Sequence, residues 1–304
     1  MKNQFKYYHV AGITIQIHSD YPISENTFHP KFKLFESNGP GDDNIVIHHH
    51  FYVPDSIDQL TVEENQIFHQ DQWKIYKSDS SWIYNYTPLL TNDPGNSAIA
   101  VFNKDHTVVE IYTNAISEKQ YQTACFGALT LFNTDQVLFA KPLCERNGLI
   151  LHSNGFNIQG KGILLAGASG AGKSTLSGML KNEGFEVLCD DRMFITKNKD
   201  GFWIHGNWCH GTVANVANIS VPLQTIFFLE QAKENFSIKL SNGKKKSHCL
   251  LQSLVKPFFT SAEWDKTFSI IGDLVKVIDC YTLKFDLSGK IYLTIKDVLG
   301  LNQS

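Results

Sequence analysis

Arginine is almost missing from this 304-residue chain: of 27 basic side chains only Arg146 and Arg192 are arginines, and the other 25 are lysines. A site that clamps a transferring phosphoryl group with several planar guanidinium forks has almost nothing to draw on here. Charge of one sign is lacking too. The formal net charge is −3 and the pI near 6.4, which weighs against a nucleic-acid partner, because such proteins carry a basic domain or stripe. Lys244-Lys245-Lys246 is the one basic triplet and reads as a solvated helix start. No apolar run approaches the roughly 18 residues that read as a membrane span, and the opening MKNQFKYYHVAG has no apolar core of a secretory signal. The expectation is a cytoplasmic protein with no membrane partner. The six cysteines, at 125, 144, 189, 209, 249 and 280, never form C-x-x-C, which suits reduced, mostly buried thiols better than disulfides or zinc. Repeats and low-complexity runs are absent as well. With 42% hydrophobic and 19% charged residues, a globular chain of one large or two smaller domains is expected.

What is present centres on Gly162 to Asp191, GILLAGASGAGKSTLSGMLKNEGFEVLCDD. Residues Gly167, Ala168, Ser169, Gly170, Ala171, Gly172, Lys173 and Ser174 fit G-x-x-x-x-G-K-[ST], the phosphate-cradling P-loop. The flanks suit it: Ile163 to Ala166 is a short apolar run that reads as a buried parallel strand, and Thr175 to Asn182 reads as a helix stopped by Gly184. The glycines let successive backbone N–H groups converge on phosphate oxygens at a helix N-terminus, where the dipole favours anions. Lys173 would add a point charge for the β- and γ-phosphates, and the Ser174 hydroxyl is placed to ligate Mg²⁺. A chance glycine-rich turn is the bland alternative. Beyond the helix, Phe185 to Cys189 is a second apolar run ending in Asp190-Asp191. If it lies beside the loop's own strand, both carboxylates emerge at the carboxyl edge of the sheet, where ligands of open α/β sheets bind. One acid could then hold Mg²⁺ while the other accepts a hydroxyl proton; the plain alternative is a solvated turn closing a strand. Arg192 follows directly and either contacts phosphate or pairs with the acids to keep them ionised.

Upstream, the pattern is strand after strand. Residues 6 to 18 alternate around Gly12, Asn44 to Val53 is a strong strand candidate, and further strands are expected at 73–76, 81–86, 98–103 and 107–112. The His48-His49-His50 triplet invites a metal reading, since His48 and His50 would share one face, but no partner stands nearby at ligand spacing and a half-exposed strand is favoured. Apolar positions between Glu118 and Ala140 suit one or two amphipathic helices. Residues 1–143 are therefore expected to form a β-rich N-terminal domain with a bridging helix, and 144–304 a nucleotide-binding domain. In the latter, Leu149 to Leu151 reads as a strand with His152 at its end, and 193–197 with 202–205 as a hairpin. His205, Cys209 and His210 make a poor tetrahedral set, so zinc is rejected there; packing is preferred over a place for His205 and His210 at the catalytic edge. Helices are expected at 245–255 and 264–277, and a closing hairpin at 281–285 and 291–295.

His152, the loop from Gly167 to Ser174 and the pair Asp190-Asp191 together resemble the HPr kinase/phosphorylase family, itself similar in fold to phosphoenolpyruvate carboxykinase. The resemblance covers about the middle third of 149–304. It implies an α/β (α+β overall) chain with a C-terminal P-loop domain of mixed sheet, ATP and Mg²⁺ as cofactors, Lys173 on the β-phosphate and Ser174 on Mg²⁺. One acid of the pair, Asp190 in preference to Asp191, would activate a seryl hydroxyl, and the other would serve the metal. Gly167 to Thr175 would bind the nucleotide, with His152 and Arg192 beside the chemistry. The family's downstream glutamate-x-arginine-glycine-leucine-glycine run has no counterpart; residues 202–211, FWIHGNWCHG, stand in its place. That points away from HPr itself and from the phosphorylase reaction. The pattern is closer to HPr-kinase-like proteins with an extra N-terminal domain that accompany ribosomal-peptide gene clusters, some of which, the lasso peptide kinases, phosphorylate a serine of a precursor peptide. The expected partner is thus a peptide or protein bearing a serine, with a homo-oligomer among the allowed assemblies. A small-molecule kinase and a nucleotide-binding sensor without turnover are the alternatives.

Overall fold

A computed structural model describes residues 5–87, 97–168, 170–211, 215–256 and 260–301. The chain divides into two compact units, Met1–Pro142 and Leu143–Ser304. It is a mixed α/β protein in which each unit is built on a mixed sheet.

The first unit has strands β1 (Phe5–Val10), β2 (Ile13–Ser19), β3 (Asn44–His50), β4 (Gln66–Gln70), β5 (Trp73–Lys77), β6 (Ser81–Tyr86), β7 (Ala98–Asn103) and β8 (Val108–Tyr112). They lie in the order β1-β2-β3-β8-β7-β6-β5-β4. The pairs β2–β3 and β3–β8 are parallel and the others antiparallel. Ala11 and Gly12 both have positive φ, 53° and 81°, the twist a two-residue hairpin needs between β1 and β2. Alternation then sorts the faces: Ile45, Ile47 and His49 of β3 are buried, whereas Val46, His48 and His50 are half-buried on the other side. The short helices α1 (Ser56–Leu60) and α2 (Glu118–Thr123) and the longer α3 (Gln136–Glu145) complete the unit, α3 running across the boundary. Ser117 and Gln120 close a reciprocal capping box at the start of α2. Tyr121 of α2 is buried and donates its hydroxyl to His49 Nδ1 at 2.8 Å, while His49 Nε2 donates to the Leu129 carbonyl at 2.9 Å. Burial pushes His49 down to about 3, so the ring is a neutral core group with both nitrogens satisfied.

The second unit holds β9 (Gly148–Ile158), β10 (Lys161–Ala166), β11 (Glu186–Cys189), β12 (Arg192–Asn198), β13 (Gly201–His205), β14 (Ser220–Gln231), β15 (Phe236–Lys239) and β16 (Asp279–Phe285). Its helices are α4 (Lys173–Asn182), α5 (Gly243–Ser253), α6 (Ser261–Val277) and α7 (Ile291–Val298). Two long strands are each shared between different neighbours. The first half of β9 pairs with β12, and its second half lies between β10 and β11. The start of β14 pairs with β13, and the rest runs parallel to β10 and β16. Because β10 is covered on both faces, its run is apolar throughout: Ile163 and Leu165 pack with Leu176 and Leu180 of α4 and Ile291 and Ile295 of α7, and Leu164 and Ala166 belong to the core that holds Leu250 of α5 and Ile270 and Leu274 of α6.

Three expectations change. The strand at Leu149 continues through His152 to Ile158, so His152 sits within it. The segment 291–295 is helical: Ile291 and Ile295 recur at the i, i+4 spacing and bury one stripe of α7, which outweighs the β-branched composition. The strand bearing the acid pair is also not adjacent to the loop's strand, since β9 lies between β10 and β11. Among the described residues no helix is long and apolar enough to cross a membrane.

Candidate active site at the glycine loop and the acid pair

β10 ends at Ala166 and α4 begins at Lys173, so the glycine motif is the connection between a buried strand and a helix N-terminus. Gly170 and Gly172 have φ of 79° and 97°. At Gly172 a Cβ would also stand 2.7 Å from the Phe285 ring, so both backbone and space call for glycine there. No side-chain hydrogen bond caps α4, so the N–H groups that begin the helix have no side-chain cap there. Ala168 and Gly170 are exposed, as are Ser174 and Thr175 on the first turn of α4, with Gly167 and Ala171 half-buried. Ser169 lies outside the described residues. Lys173 is buried, and its ammonium donates back to the carbonyls of Gly167 at 2.8 Å and Ala168 at 3.2 Å. Burial holds its pKa below the usual lysine value.

The acid pair reaches the loop across one strand. Ala166 at the end of β10 is in register with Ser153 of β9, and the Ser153 N–H donates to the Asp191 carbonyl at 3.1 Å. The end of β10, the middle of β9 and the acids after β11 are therefore level on the sheet. β10 and β11 are both antiparallel to β9, so the carboxylates follow the same end of the sheet as the glycine loop despite the intervening strand.

His152 is paired with Arg192 in the β9–β12 register, and this brings three predicted residues together. His152 Nε2 lies 3.1 Å from Asp191 Oδ1, and the Arg192 guanidinium engages Oδ2 of the same carboxylate. Burial, then the nearby Lys173 and Arg192 charges, hold His152 below its usual pKa. It is neutral at neutral pH, and its Nε2–H donates to Asp191. Asp190 is the more buried acid, 3% exposed, and its Oδ1 accepts the Gly211 N–H at 2.9 Å.

That last contact exposes residues that motif spacing missed. The 206–211 segment folds over the acids. Asn207 is fully buried, donates to the Arg192 carbonyl at 2.7 Å and accepts from the Cys209 N–H at 2.8 Å. A Cβ on Gly211 would lie 3.1 Å from Asp191 Cβ, and one on Gly206 only 1.9 Å from the Ala217 carbonyl. The two glycines were the available signal: Gly206 marks where backbone approaches backbone, and Gly211 where it approaches the Asp191 side chain. His205 is held by Thr196 and Ser220 hydroxyls, each at 2.8 Å, and burial lowers it to about 4; it is a packed core histidine. His210 Nδ1 donates to the Gly211 carbonyl at 2.9 Å.

Fold and site define a mixed α/β unit in which a glycine loop at an uncapped helix N-terminus is level with a histidine, an acid pair and an arginine. Residues 128–300, over half of the chain, match the family model described as SynChlorMet cassette protein ScmC, and the chain belongs to that family. Among solved structures, the Hpr(Ser) kinase/phosphatase from Coxiella burnetii is similar at 15% identity and a TM-score of 0.30, over 51% of this chain and 99% of that one. At that score the likeness decides nothing about chemistry. No curated protein matches the chain.

Proposed function

We propose that residues 144–304 form an ATP- and Mg²⁺-dependent kinase that transfers the γ-phosphoryl group to a serine hydroxyl of a peptide or protein, with a ribosomally made precursor peptide as the favoured substrate class. The β-rich residues 1–143 would recognise that substrate. The observation that carries the reading is the register that levels Ala166, Ser153 and Asp191, because it puts carboxylates one strand from a helix N-terminus suited to phosphate.

In this reading the amides from Gly167 to Thr175 orient the triphosphate, and Lys173 exchanges its two loop carbonyls for phosphate oxygens. The hydroxyl of Ser174 and the carboxylates of Asp190 and Asp191 are the hard oxygen donors that suit Mg²⁺, which supplies charge neutralisation at the phosphoryl oxygens. Asp190 takes the proton as the seryl oxygen bonds to the γ-phosphorus and the bond to the β-phosphate oxygen breaks, releasing ADP. Asp191 is the poorer proton acceptor, since an imidazole N–H engages one oxygen and a guanidinium the other. It serves the metal, with His152 and Arg192 orienting it.

The test is incubation with γ-labelled ATP and a panel of serine peptides, small polyols and buffer alone. Labelled peptide supports the proposal. A labelled polyol would replace it with a small-molecule kinase, and bound nucleotide without product would replace it with a sensor.

A further inference from the structure

The first unit carries a second cluster of chemistry-bearing side chains that the kinase reading does not use. In the parallel register His18 of β2 faces His48 of β3, which faces Glu110 of β8. The chain after β2 continues to Asp20, whose N–H donates to the His49 carbonyl at 3.1 Å. Asp20 is thereby placed beside His50. The period of two that buries His49 thus turns His48 and His50 to the opposite face, between Asp20 just past the end of β2 and Glu110 of β8.

The geometry there is close. Asp20, His48 and His50 each offer a ligand atom within 4.8 Å of the others. His48 Nε2 is 3.1 Å from Asp20 Oδ1, and His50 Nδ1 is 3.0 Å from Asp20 Oδ2. Two ligands bound tetrahedrally to one zinc ion lie about 3.4 Å apart, so little movement would close the set. The second observation is on the far side of the ring: His50 Nε2 lies 2.7 Å from Glu110 Oε2. A neutral imidazole has one N–H. If Nε2–H donates to Glu110, Nδ1 presents a lone pair to a carboxylate oxygen, which is repulsive unless a cation or a second proton lies between them. A carboxylate that accepts from one ring nitrogen while the other faces a ligand set is the outer-shell arrangement of metal-binding histidines. His50 is also held in place, stacked on Tyr112 with centroids 5.0 Å apart and packed on His48 at 4.1 Å.

We propose that Asp20, His48 and His50 bind a divalent transition-metal ion of the imidazole-preferring kind, zinc being the reference case, with Glu110 orienting His50. Two imidazoles and one carboxylate are a nitrogen-rich set, unsuited to Mg²⁺ or Ca²⁺ and matched to zinc, cobalt or iron. Three protein ligands leave a coordination position open, and the side chains of His48 and Asp20 are each 38% exposed, so water or an anionic ligand can reach it.

The experiment uses the full, untagged, chelator-stripped chain without nucleotide: calorimetric titration with Zn²⁺, and visible absorption with Co²⁺. One ion per chain at micromolar affinity or tighter is expected, with cobalt ligand-field bands. Both should disappear in His48→Ala/His50→Ala, and Glu110→Gln should weaken zinc about 10- to 100-fold. Asp20→Asn, isosteric and exposed, serves if the double variant fails to fold, and should also abolish stoichiometric binding. Zinc uptake equal in wild type and these variants, or no uptake at all, would overturn the proposal. Lys173→Ala should leave zinc binding intact, which separates this site from the kinase reading.

Discussion

At the scale of single residues, Lys173 decides whether the glycine loop serves a triphosphate. Its ammonium is buried and satisfied by two loop carbonyls, so its removal takes away a charge already directed into the loop. A hydrogen bond to a charged group is worth about 1.5–3 kcal/mol; Lys173→Ala should weaken ATP binding at least about tenfold by calorimetry, and unchanged affinity would reject the loop assignment. In the proposed reaction, Asp190 is the residue that would separate binding from transfer. Asp190→Asn preserves the shape under the Gly211 N–H but cannot take up the seryl proton, so ATP binding should persist while peptide phosphorylation, followed by mass spectrometry, is lost. Both were legible as candidates in the sequence, Lys173 from a local motif and Asp190 from the end of a local apolar run. The partnership of His152 with Asp191 was not, since it depends on which strand lies beside β9.

At the scale of elements, β9 is the organiser that the sequence understated. It runs from Gly148 to Ile158 and borders β12, β10 and β11 in turn. Gly155 explains how it fits: a Cβ there would meet Met193 Sδ at 2.5 Å and Cε at 2.4 Å. The obstacle is the end of a flexible side chain, so Gly155→Ala should cost about 1–3 kcal/mol as an overpacked core site. Met193 is itself fully buried, so Met193→Ala is costly alone, but in that background Gly155→Ala should cost less than it does in the wild type. A double-mutant cycle in urea that shows no coupling would mean the thioether moves aside freely. Glycines and short polar segments hid the strand from pattern reading, because His152 and Asn154 look like a strand end until both neighbours are known. Helices read better. The expected 245–255 and 264–277 correspond to α5 and α6 within a few residues, and the start of α6 is fixed by the Thr260–Glu263 capping box, a purely local signal. Residues 291–295 form part of α7 and not a hairpin strand, because Ile291 and Ile295 bury one helical stripe.

At the scale of the whole molecule, three buried neutral histidines set the response to acid. Burial lowers His49 and His106 to about 3 and His205 to about 4. In the unfolded chain each titrates near its ordinary value of about 6.5. Between those values the unfolded state binds protons that the folded state refuses, so stability rises with pH through this window and is lost as pH falls below about 6.5. Each histidine contributes up to about 1.4 kcal/mol per pH unit inside the window. Thermal melting from pH 7 to pH 4.5 should show a falling Tm beginning near pH 6.5; a flat profile down to pH 4.5 would contradict neutral burial. His205→Gln should reduce the slope.

What the sequence determined by itself is whatever short-range physics controls. A glycine-spaced turn between an apolar run and a helix, two acids ending the next apolar run, capped helix starts and alternating strand faces all follow from neighbours within a dozen residues. Tertiary structure decided the partnerships. It put β9 between β10 and β11, set His152 and Arg192 on one carboxylate, folded Gly211 over the acids, and placed Asp20 and Glu110 on either side of His48 and His50. Alternation along a strand dictates which residues share a face, but the strand that lies alongside is chosen by long-range pairing and burial, and no local pattern encodes that choice.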